Sequence, residues 1–232
     1  MALESNNELA GVRACVFDAY GTLFDFAAAA ERCREELGGK TDALTDIWRA
    51  RQLQYTWLRS LMGRHRDFWQ VTGDALDYAL DALAIDDAAL RERLLALYLE
   101  LDPYPEAERV LAKLRDAGLG TAILSNGSPD MLAAAVAGAG LESLLDEVIS
   151  VEEVGVFKPH PEVYALVRRR LGVEPADVAY QSSNGWDAWA ASAFGFRAVW
   201  INRGGAPRER MPEPPLLEVA TLDELPRLVG AA

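Results

Sequence analysis

One aspartate stands where a buried strand would end. Asp18 directly follows the apolar run of residues 14–17 and opens a loop in which Gly21 comes three residues later. A carboxylate at the carboxyl end of a parallel strand lies at the sheet edge where open α/β proteins bind ligands. When ionised, it can attack an electrophilic carbon and form an ester, which divides a hydrolysis into two steps. Asp18 could instead cap a helix or a turn, but the strand before it favours a nucleophile.

Hydroxyl side chains follow two later apolar runs. Ser125 comes after the run of residues 119–124, and Ser182 comes after the run of residues 178–180. Because the carboxyl ends of parallel strands meet at one edge of a sheet, both serines are expected beside Asp18. A serine in a Ser-Asn-Gly sequence is by itself more often only part of a turn. The interpretation of Ser125 therefore depends on its place as the second motif along the chain.

The elements that would hold these residues alternate between strand and helix. Short apolar runs, which fit strands covered on both faces, occupy residues 14–17, 119–124, 146–150, 178–180 and 198–201. Two helical segments with proline at the start and glycine just after the end occupy residues 105–117 and 161–171. This alternation predicts an α/β fold with a parallel sheet.

Residues 27–103 interrupt the alternation. They contain no clear strand, and their large apolar residues recur at helical spacing. We therefore predict a core of residues 8–26 and 104–232 with an inserted helical cap of residues 27–103. A lid over the sheet edge would exclude water from the nucleophile, whereas helices that only complete the core are the alternative. The Gly/Pro-rich residues 204–215 are expected to form an irregular loop before a last helix.

Composition restricts the partners and the compartment. A net charge of −13 argues against nucleic acid as a partner. Two cysteines, Cys15 and Cys33, indicate no disulfide framework. The first ten residues are polar and acidic, and no apolar run approaches the roughly 18 residues of a membrane span. The expected location is the cytoplasm, with no membrane partner.

Several segments together resemble one known family. The segments are Trp48-Arg49, residues 52–62, residues 124–128, Phe157-Lys158-Pro159 and residues 182–187. They are similar to the L-2-haloacid dehalogenases (haloacid dehalogenase type II) of the haloacid dehalogenase-like hydrolase superfamily, over residues 12–203. The segment 52–62 is the most specific, because phosphatases of the superfamily do not carry it. The resemblance implies a Rossmann-like core, a four-helix cap, no metal or other cofactor, and often a homodimer.

The resemblance also implies the catalytic residues. Asp18 would be the nucleophile, and Lys158 would keep it ionised. Asp187 would either position Lys158 or orient the water that hydrolyses the ester. The remaining members of this catalytic set would be Thr22, Ser182 and Asn184.

A second implied group binds the substrate. Arg49, whose guanidinium is always charged and weakly hydrated, would receive the halide, with assistance from Asn126. Ser125 and backbone N–H groups of the first loop would hold the substrate carboxylate. Further residues implied at the substrate site are Tyr20, Leu53, Phe68, Tyr164 and Trp186. Tyr164 fits ordinary helix packing equally well.

Two positions argue against a phosphatase. Phosphatases of the superfamily carry a second aspartate two residues after the first, where this chain has Tyr20. They also bring two carboxylates in the last motif, where this chain has Asn184 and only Asp187. Magnesium prefers octahedral oxygen coordination, so this residue set is a poor magnesium site.

The expected activity is metal-independent hydrolysis of short L-2-haloalkanoic acids to D-2-hydroxy acids through an aspartyl ester. Alternatives are a phosphatase, an inactive homologue that acts by binding, and a hydrolase that opens another C2 bond, as in azetidine-2-carboxylate. Ala19 and Ala50 depart from residues common in the family, which affects substrate size more than reaction class.

A cluster of large apolar residues in the cap indicates how the protein could form oligomers. Trp57, Leu58, Leu61 and Met62 fall within about two helical turns. A patch of large apolar groups on a small cap typically marks an interface, and a twofold dimer is the commonest solution. The alternative is that all of these residues fold inward.

Overall fold

The computed structural model describes residues 8–26 and 28–231. Residues 27 and 232, at the predicted cap and core boundaries, lie outside this described part. The strands are β1 (Ala14–Phe17), β2 (Gly120–Ser125), β3 (Glu147–Ser150), β4 (Val178–Ser182), β5 (Arg197–Ile201) and β6 (Leu217–Val219). They form one sheet in the order β3-β2-β1-β4-β5-β6, with every neighbouring pair parallel. The predicted α/β fold is confirmed.

The helices are α1 (Ala28–Arg32), α2 (Arg34–Leu37), α3 (Thr41–Met62), α4 (Phe68–Ala82), α5 (Ala88–Leu97), α6 (Ala107–Asp116), α7 (Pro129–Gly138), α8 (Pro161–Leu171), α9 (Gly185–Phe194) and α10 (Leu225–Val229). Helices and strands alternate from α6 to β5. Helix α8 starts at Pro161 and ends before Gly172, whose φ of 65° gives the left-handed conformation that terminates it. Pairs of helices, α6 with α10 and α8 with α9, pack together.

The centre of the sheet places Asp18. Strand β1 is buried at all four residues and pairs with β2 on one side and β4 on the other. Phe17 lies opposite Ile123 and Gln181 in these two ladders. Asp18 therefore emerges between the carboxyl ends of β2 and β4. The strand order reverses here, which is the point where α/β sheets bind ligands.

Helices α1 to α5 form the insertion. Only Cys33 separates α1 from α2, so the insertion consists of four helices of which the first is interrupted. The chain leaves and re-enters the core at adjacent points, because Phe24 and Pro103 form an antiparallel bridge. Among the residues described, no helix has the length and hydropathy needed to cross a membrane.

Helix α3 carries cap residues to the sheet edge. It runs for 22 residues and ends at Gly63, whose φ of 62° reverses the chain. Its buried stripe includes Trp48 and Gln52, one turn apart. Helix α4 follows after Asp67, whose side chain accepts a hydrogen bond from the Gln70 N–H at 2.8 Å.

Strand β6 is absent from the predicted strands. It has three residues, pairs only with β5 at the edge of the sheet, and has Glu218 at its centre. A segment this short gives no periodic apolar signal. The preceding Gly/Pro-rich residues 204–215 are irregular, and α10 is the predicted last helix.

Candidate active site

Asp18 is held by donors at both carboxylate oxygens. Its backbone N–H donates to the Gln181 carbonyl at 2.9 Å, which fixes the start of the loop. Its Oδ1 accepts from Lys158 Nζ at 3.0 Å, and its Oδ2 accepts from Asn184 Nδ2 at 2.7 Å. The Thr22 hydroxyl lies 3.5 Å from Oδ2. These donors stabilise the ionised form of the carboxylate.

Lys158 lies at the centre of a buried network. Its side chain is 1% exposed and donates to Asp18, to Asp187 Oδ2 at 3.0 Å and to the Tyr180 hydroxyl at 2.6 Å. The Tyr180 hydroxyl donates in turn to Asp187 Oδ2 at 2.9 Å, and Tyr164 donates to Asp187 Oδ1 at 2.7 Å. Both oxygens of Asp187, which is completely buried, are therefore occupied. This geometry fits a residue that positions Lys158.

The charges of the network depend on each other. Burial raises the pKa of Asp18, and Asp187 adds to the rise, whereas Lys158 and Arg49 oppose it. Burial by itself lowers the pKa of Lys158, but the two neighbouring carboxylates outweigh it, so the net shift is upward. Burial and the same carboxylates raise the pKa of Tyr180 well above its ordinary value. Lys158 thus remains a cation beside Asp18, and Tyr180 remains a neutral donor.

Arg49 reaches the site from the cap. One guanidinium N–H donates to Asn184 Oδ1 at 3.0 Å and another to Gln52 Oε1 at 2.6 Å. The guanidinium carbon lies 4.7 Å from the centre of the Phe26 ring. Asn184 therefore joins Arg49 to Asp18 through the two ends of one amide. The contact connects cap and core directly at the reacting carboxylate.

A small cavity lies between these groups. Its volume is about 10 Å³, roughly the room for one water molecule. Its lining contains both polar and apolar side chains. The residues that line it, all of them predicted site residues, are Asp18, Tyr20, Arg49, Leu53, Phe68, Ser125, Asn126, Asn184 and Trp186.

The other predicted site residues surround this cavity. Lys158 and Thr22 contact Asp18, and Asp187 contacts Lys158. The Ser182 hydroxyl accepts from the Asn184 N–H at 3.2 Å and so shapes the loop after β4. Tyr164, predicted at the substrate site, is placed behind Asp187 and does not line the cavity.

Two contributors were not predicted. Gln52 supports Arg49 from one helical turn further along α3, and this i, i+3 spacing was a usable signal. Tyr180 ends a predicted strand, but its partners Lys158 and Asp187 lie in other segments, 22 and 7 residues away. No local pattern indicates them.

Comparison with known proteins identifies the family of this chain. Residues 12–195 match the family model of the haloacid dehalogenase-like hydrolases. An (S)-2-haloacid dehalogenase 1 from Pseudomonas sp. (strain CBS-3) is 46% identical over 219 residues, covering 94% of this chain and 96% of the relative. The chain belongs to the haloacid dehalogenase-like hydrolases, among the (S)-2-haloacid dehalogenases.

Solved structures show the same likeness. A dehalogenase with an intermediate complex superposes with a TM-score of 0.93 at 44% identity, covering 95% of this chain and 98% of that one. The L-2-haloacid dehalogenase from Xanthobacter autotrophicus with chloropropionic acid covalently bound superposes with a TM-score of 0.86 at 44% identity, covering 94% and 98%. The predicted resemblance is confirmed.

Proposed function

We propose that this protein hydrolyses short L-2-haloalkanoic acids to D-2-hydroxy acids and halide. The observation that carries the proposal is the buried Asp18 carboxylate, which shares one cavity with Arg49 and Ser125. Displacing halide from C2 requires a nucleophile, a cation for the leaving anion and donors for the substrate carboxylate. The relative with covalently bound chloropropionic acid supports a covalent intermediate.

In the first step, a carboxylate oxygen of Asp18 attacks C2. The C2–halogen bond breaks, its electron pair leaves with the halide, and an ester joins Asp18 to C2. One displacement inverts the configuration, so an L-substrate gives a D-product. Arg49 and Asn126 receive the halide, while the Ser125 hydroxyl and backbone N–H groups of the first loop hold the substrate carboxylate.

In the second step, water adds to the carboxyl carbon of Asp18. The bond between this carbon and the ester oxygen then breaks, which releases the hydroxy acid and a proton and restores the carboxylate. Lys158 and Asn184, which already donate to the two carboxylate oxygens, stabilise the negative oxygen that develops. Asp187 positions Lys158 in this scheme, because both of its oxygens are occupied.

The proposed reaction uses no metal. Lys158 and Arg49 supply positive charge on two sides of the Asp18 carboxylate. Asn184 directs an amide N–H at Asp18, whereas a magnesium site would require an oxygen ligand there. Tyr20 adds a phenol to an apolar wall. The donor set therefore favours displacement at carbon over phosphoryl transfer.

Halide release tests the proposal directly. L- and D-2-chloropropionate are supplied with EDTA, and we expect chloride from the L-acid only, at a rate that magnesium does not raise. In heavy-oxygen water, repeated turnovers should place label in the Asp18 carboxylate. A strict requirement for magnesium, or faster turnover of a phosphate monoester, would refute the proposal. Label in the product hydroxyl from the first turnover would indicate direct attack by water.

The finer organisation is part of the same proposal. The cap comprises residues 27–103 and the core residues 8–26 and 104–232, a division supported by the bridge between Phe24 and Pro103. The two free cysteines are both buried, which suits a reducing cytoplasm.

A homodimer is also proposed. On the outer face of α3, Leu58 is 44% exposed, Leu61 is 85% exposed and Met62 is 68% exposed. The three side chains lie within five residues of one helix and expose large apolar groups to solvent. Packing this surface against a second copy would remove it from water.

A further inference from the structure

The cavity beside Asp18 is far smaller than a groove that adjoins it. The cavity measures about 10 Å³, whereas the groove measures about 590 Å³. The groove runs along the boundary between α3 and the core. Its lining residues are Trp57, Ser60, Leu61, residues 157–161, Trp186, Trp189, Ala190, Met211 and Pro212.

Trp186 is the residue that lines both spaces. The other large members of the apolar cavity wall, Tyr20 and Phe68, are buried and pack on each other with ring centres 5.8 Å apart. Behind Trp186, in contrast, lies the open groove. A substituent on C2 that is too long for the cavity therefore meets the Trp186 side chain, beyond which lies the groove.

The Trp186 indole packs against another ring, and no hydrogen bond within the described part of the chain holds its nitrogen. Its ring meets the Trp57 ring edge-on, with centres 5.5 Å apart and planes at 81°. Its Nε1 has no hydrogen-bond partner among the described residues. Rotation of the side chain would break an apolar contact but no hydrogen bond that fixes the indole nitrogen.

We propose that this groove is the subsite for the C2 alkyl chain of 2-haloalkanoic acids longer than propionate, entered past Trp186. The inference rests on the proposed dehalogenase function and names a wider substrate class for it. The lining is apolar except for Ser60, His160 and Lys158, and the Lys158 ammonium is engaged by Asp18 and Asp187. An uncharged chain therefore fits better than a second ionic group. Each methylene moved from water into such a groove strengthens binding about fourfold.

A second copy of the chain is the other possible occupant. Leu61 lies at the groove and is 85% exposed, so a dimer contact over α3 would come close to it. The position of Trp186 favours the alkyl chain, because this side chain lines both the groove and the cavity where C2 must lie. The experiment separates these occupants by measuring both substrate preference and mass.

Ala190 gives the sharpest test. It lies one helical turn after Trp186 on α9 and lines the groove but not the cavity. With wild type, we expect chloride release from both L-2-chloropropionate and L-2-chlorohexanoate. Ala190→Trp should lower the ratio of kcat/KM for the hexanoate to that for the propionate by about tenfold or more, since three methylenes lose their site. Ala193→Trp places the same ring on an exposed position of the same helix and should leave the ratio unchanged.

A complementary variant opens the passage. Trp186→Phe should raise the hexanoate-to-propionate ratio, because a smaller ring blocks the groove less. Circular dichroism and melting temperature establish that each variant is folded, and Ala190→Leu replaces Ala190→Trp if the larger ring prevents folding.

Other outcomes would overturn the inference. They are a wild type that accepts the propionate but not the hexanoate, an unchanged ratio in the Ala190 variant, and a dimer that Ala190→Trp converts to monomer. The last outcome would assign the groove to a contact between copies. A wild type that releases no halide from either acid refutes the dehalogenase function itself, and this inference with it.

Discussion

The core and the cap hold their parts of the site in different ways. In the core, Lys158 makes three hydrogen bonds within a completely buried group, and Asp187 uses both oxygens to hold it. In the cap, Arg49 relies on Gln52 of its own helix and on Asn184 across the boundary. The core half of the site is held by hydrogen bonds among its own buried residues. The cap half is connected to the core by few polar contacts.

The difference separates the core residues that carry out the reaction from the cap residues that cover them. Breaking a buried charge pair typically costs about 3–5 kcal/mol, whereas partly exposed polar contacts contribute about 1 kcal/mol or less. Further polar contacts between cap and core include the Phe157 N–H donating to Ser60 Oγ at 3.1 Å and His65 Nε2 lying 3.0 Å from a carboxylate oxygen of Glu152. The side chains that donate to Asp18, which are Lys158, Asn184 and Thr22, all belong to the core. Variants of the two halves should fail differently.

The largest effect is expected at Asp18 in the core. Asp18→Asn removes the attacking carboxylate and should lower kcat by on the order of 10⁴-fold or more, as for other nucleophiles. Halide release in a single turnover measures the loss, with thermal melting as the control for folding. A variant that keeps a tenth of the activity would show that another group attacks C2.

The core network should also set the acid limit of activity. Asp18 must be ionised, and burial raises its pKa, so kcat/KM should fall as the pH drops through a value above that of an ordinary aspartate. Lys158 lowers this pKa and Asp187 raises it. Lys158→Met should therefore move the acid limb to higher pH and lower the plateau by about 10²–10³-fold.

Asp187→Asn gives the opposite shift. It removes a negative charge near Asp18, so the acid limb should move to lower pH while the plateau also falls. The profile of kcat/KM against pH measures both variants. Acid limbs that move in the same direction would contradict the electrostatic account.

A smaller effect is expected from the cap. Arg49→Lys keeps the charge but loses the planar fork that reaches Asn184 and Gln52 together. The rate of ester formation should fall by about tenfold to a hundredfold, equivalent to one charged hydrogen bond. Single-turnover rates with chloro and bromo substrates measure this step. Unchanged rates for both would remove Arg49 from the halide site.

The smallest chemical effect belongs to the outer face of the cap. Leu58→Asp introduces a charge into the exposed apolar surface of α3, which should convert a dimer to the 25.4 kDa chain. The kcat/KM for L-2-chloropropionate should change by less than about twofold, since surface positions rarely affect distant sites. Light scattering at micromolar concentration measures the mass. A wild type that is already monomeric would refute the dimer.

The core residues of the site were predicted more completely than the residues that hold them in position. Asp18, Ser125 and Asn184 lie at or just after the carboxyl ends of strands, and parallel pairing brings these ends together whatever the loops contain. Tyr180, a further partner of Lys158, could not be predicted in this way, since its hydroxyl reaches Lys158 from within the buried strand β4. Which face of a fully buried strand a side chain occupies is not encoded in an unbroken apolar run.

The cap half was predicted mainly by resemblance. Periodicity indicates helices over this region, but it does not show which helical arginine faces the core. Arg49 lines the cavity, whereas Arg51 of the same helix contacts Gln54 and Tyr78 at the surface. Edge strand β6 was missed because three residues are too few to establish a period.

The charges beside Asp18 are balanced before and after the displacement step. Before substrate binds, two carboxylates, Asp18 and Asp187, face two cations, Lys158 and Arg49. Displacement moves one negative charge from Asp18 to the halide and leaves the total unchanged. A dry interior tolerates such relocation much better than the creation of new charge.

The outside of the molecule, in contrast, contributes to a net charge of −13 that repels an approaching anion. Surface charge should therefore govern the frequency of encounter, and added salt should increase it, without altering the bond-breaking step.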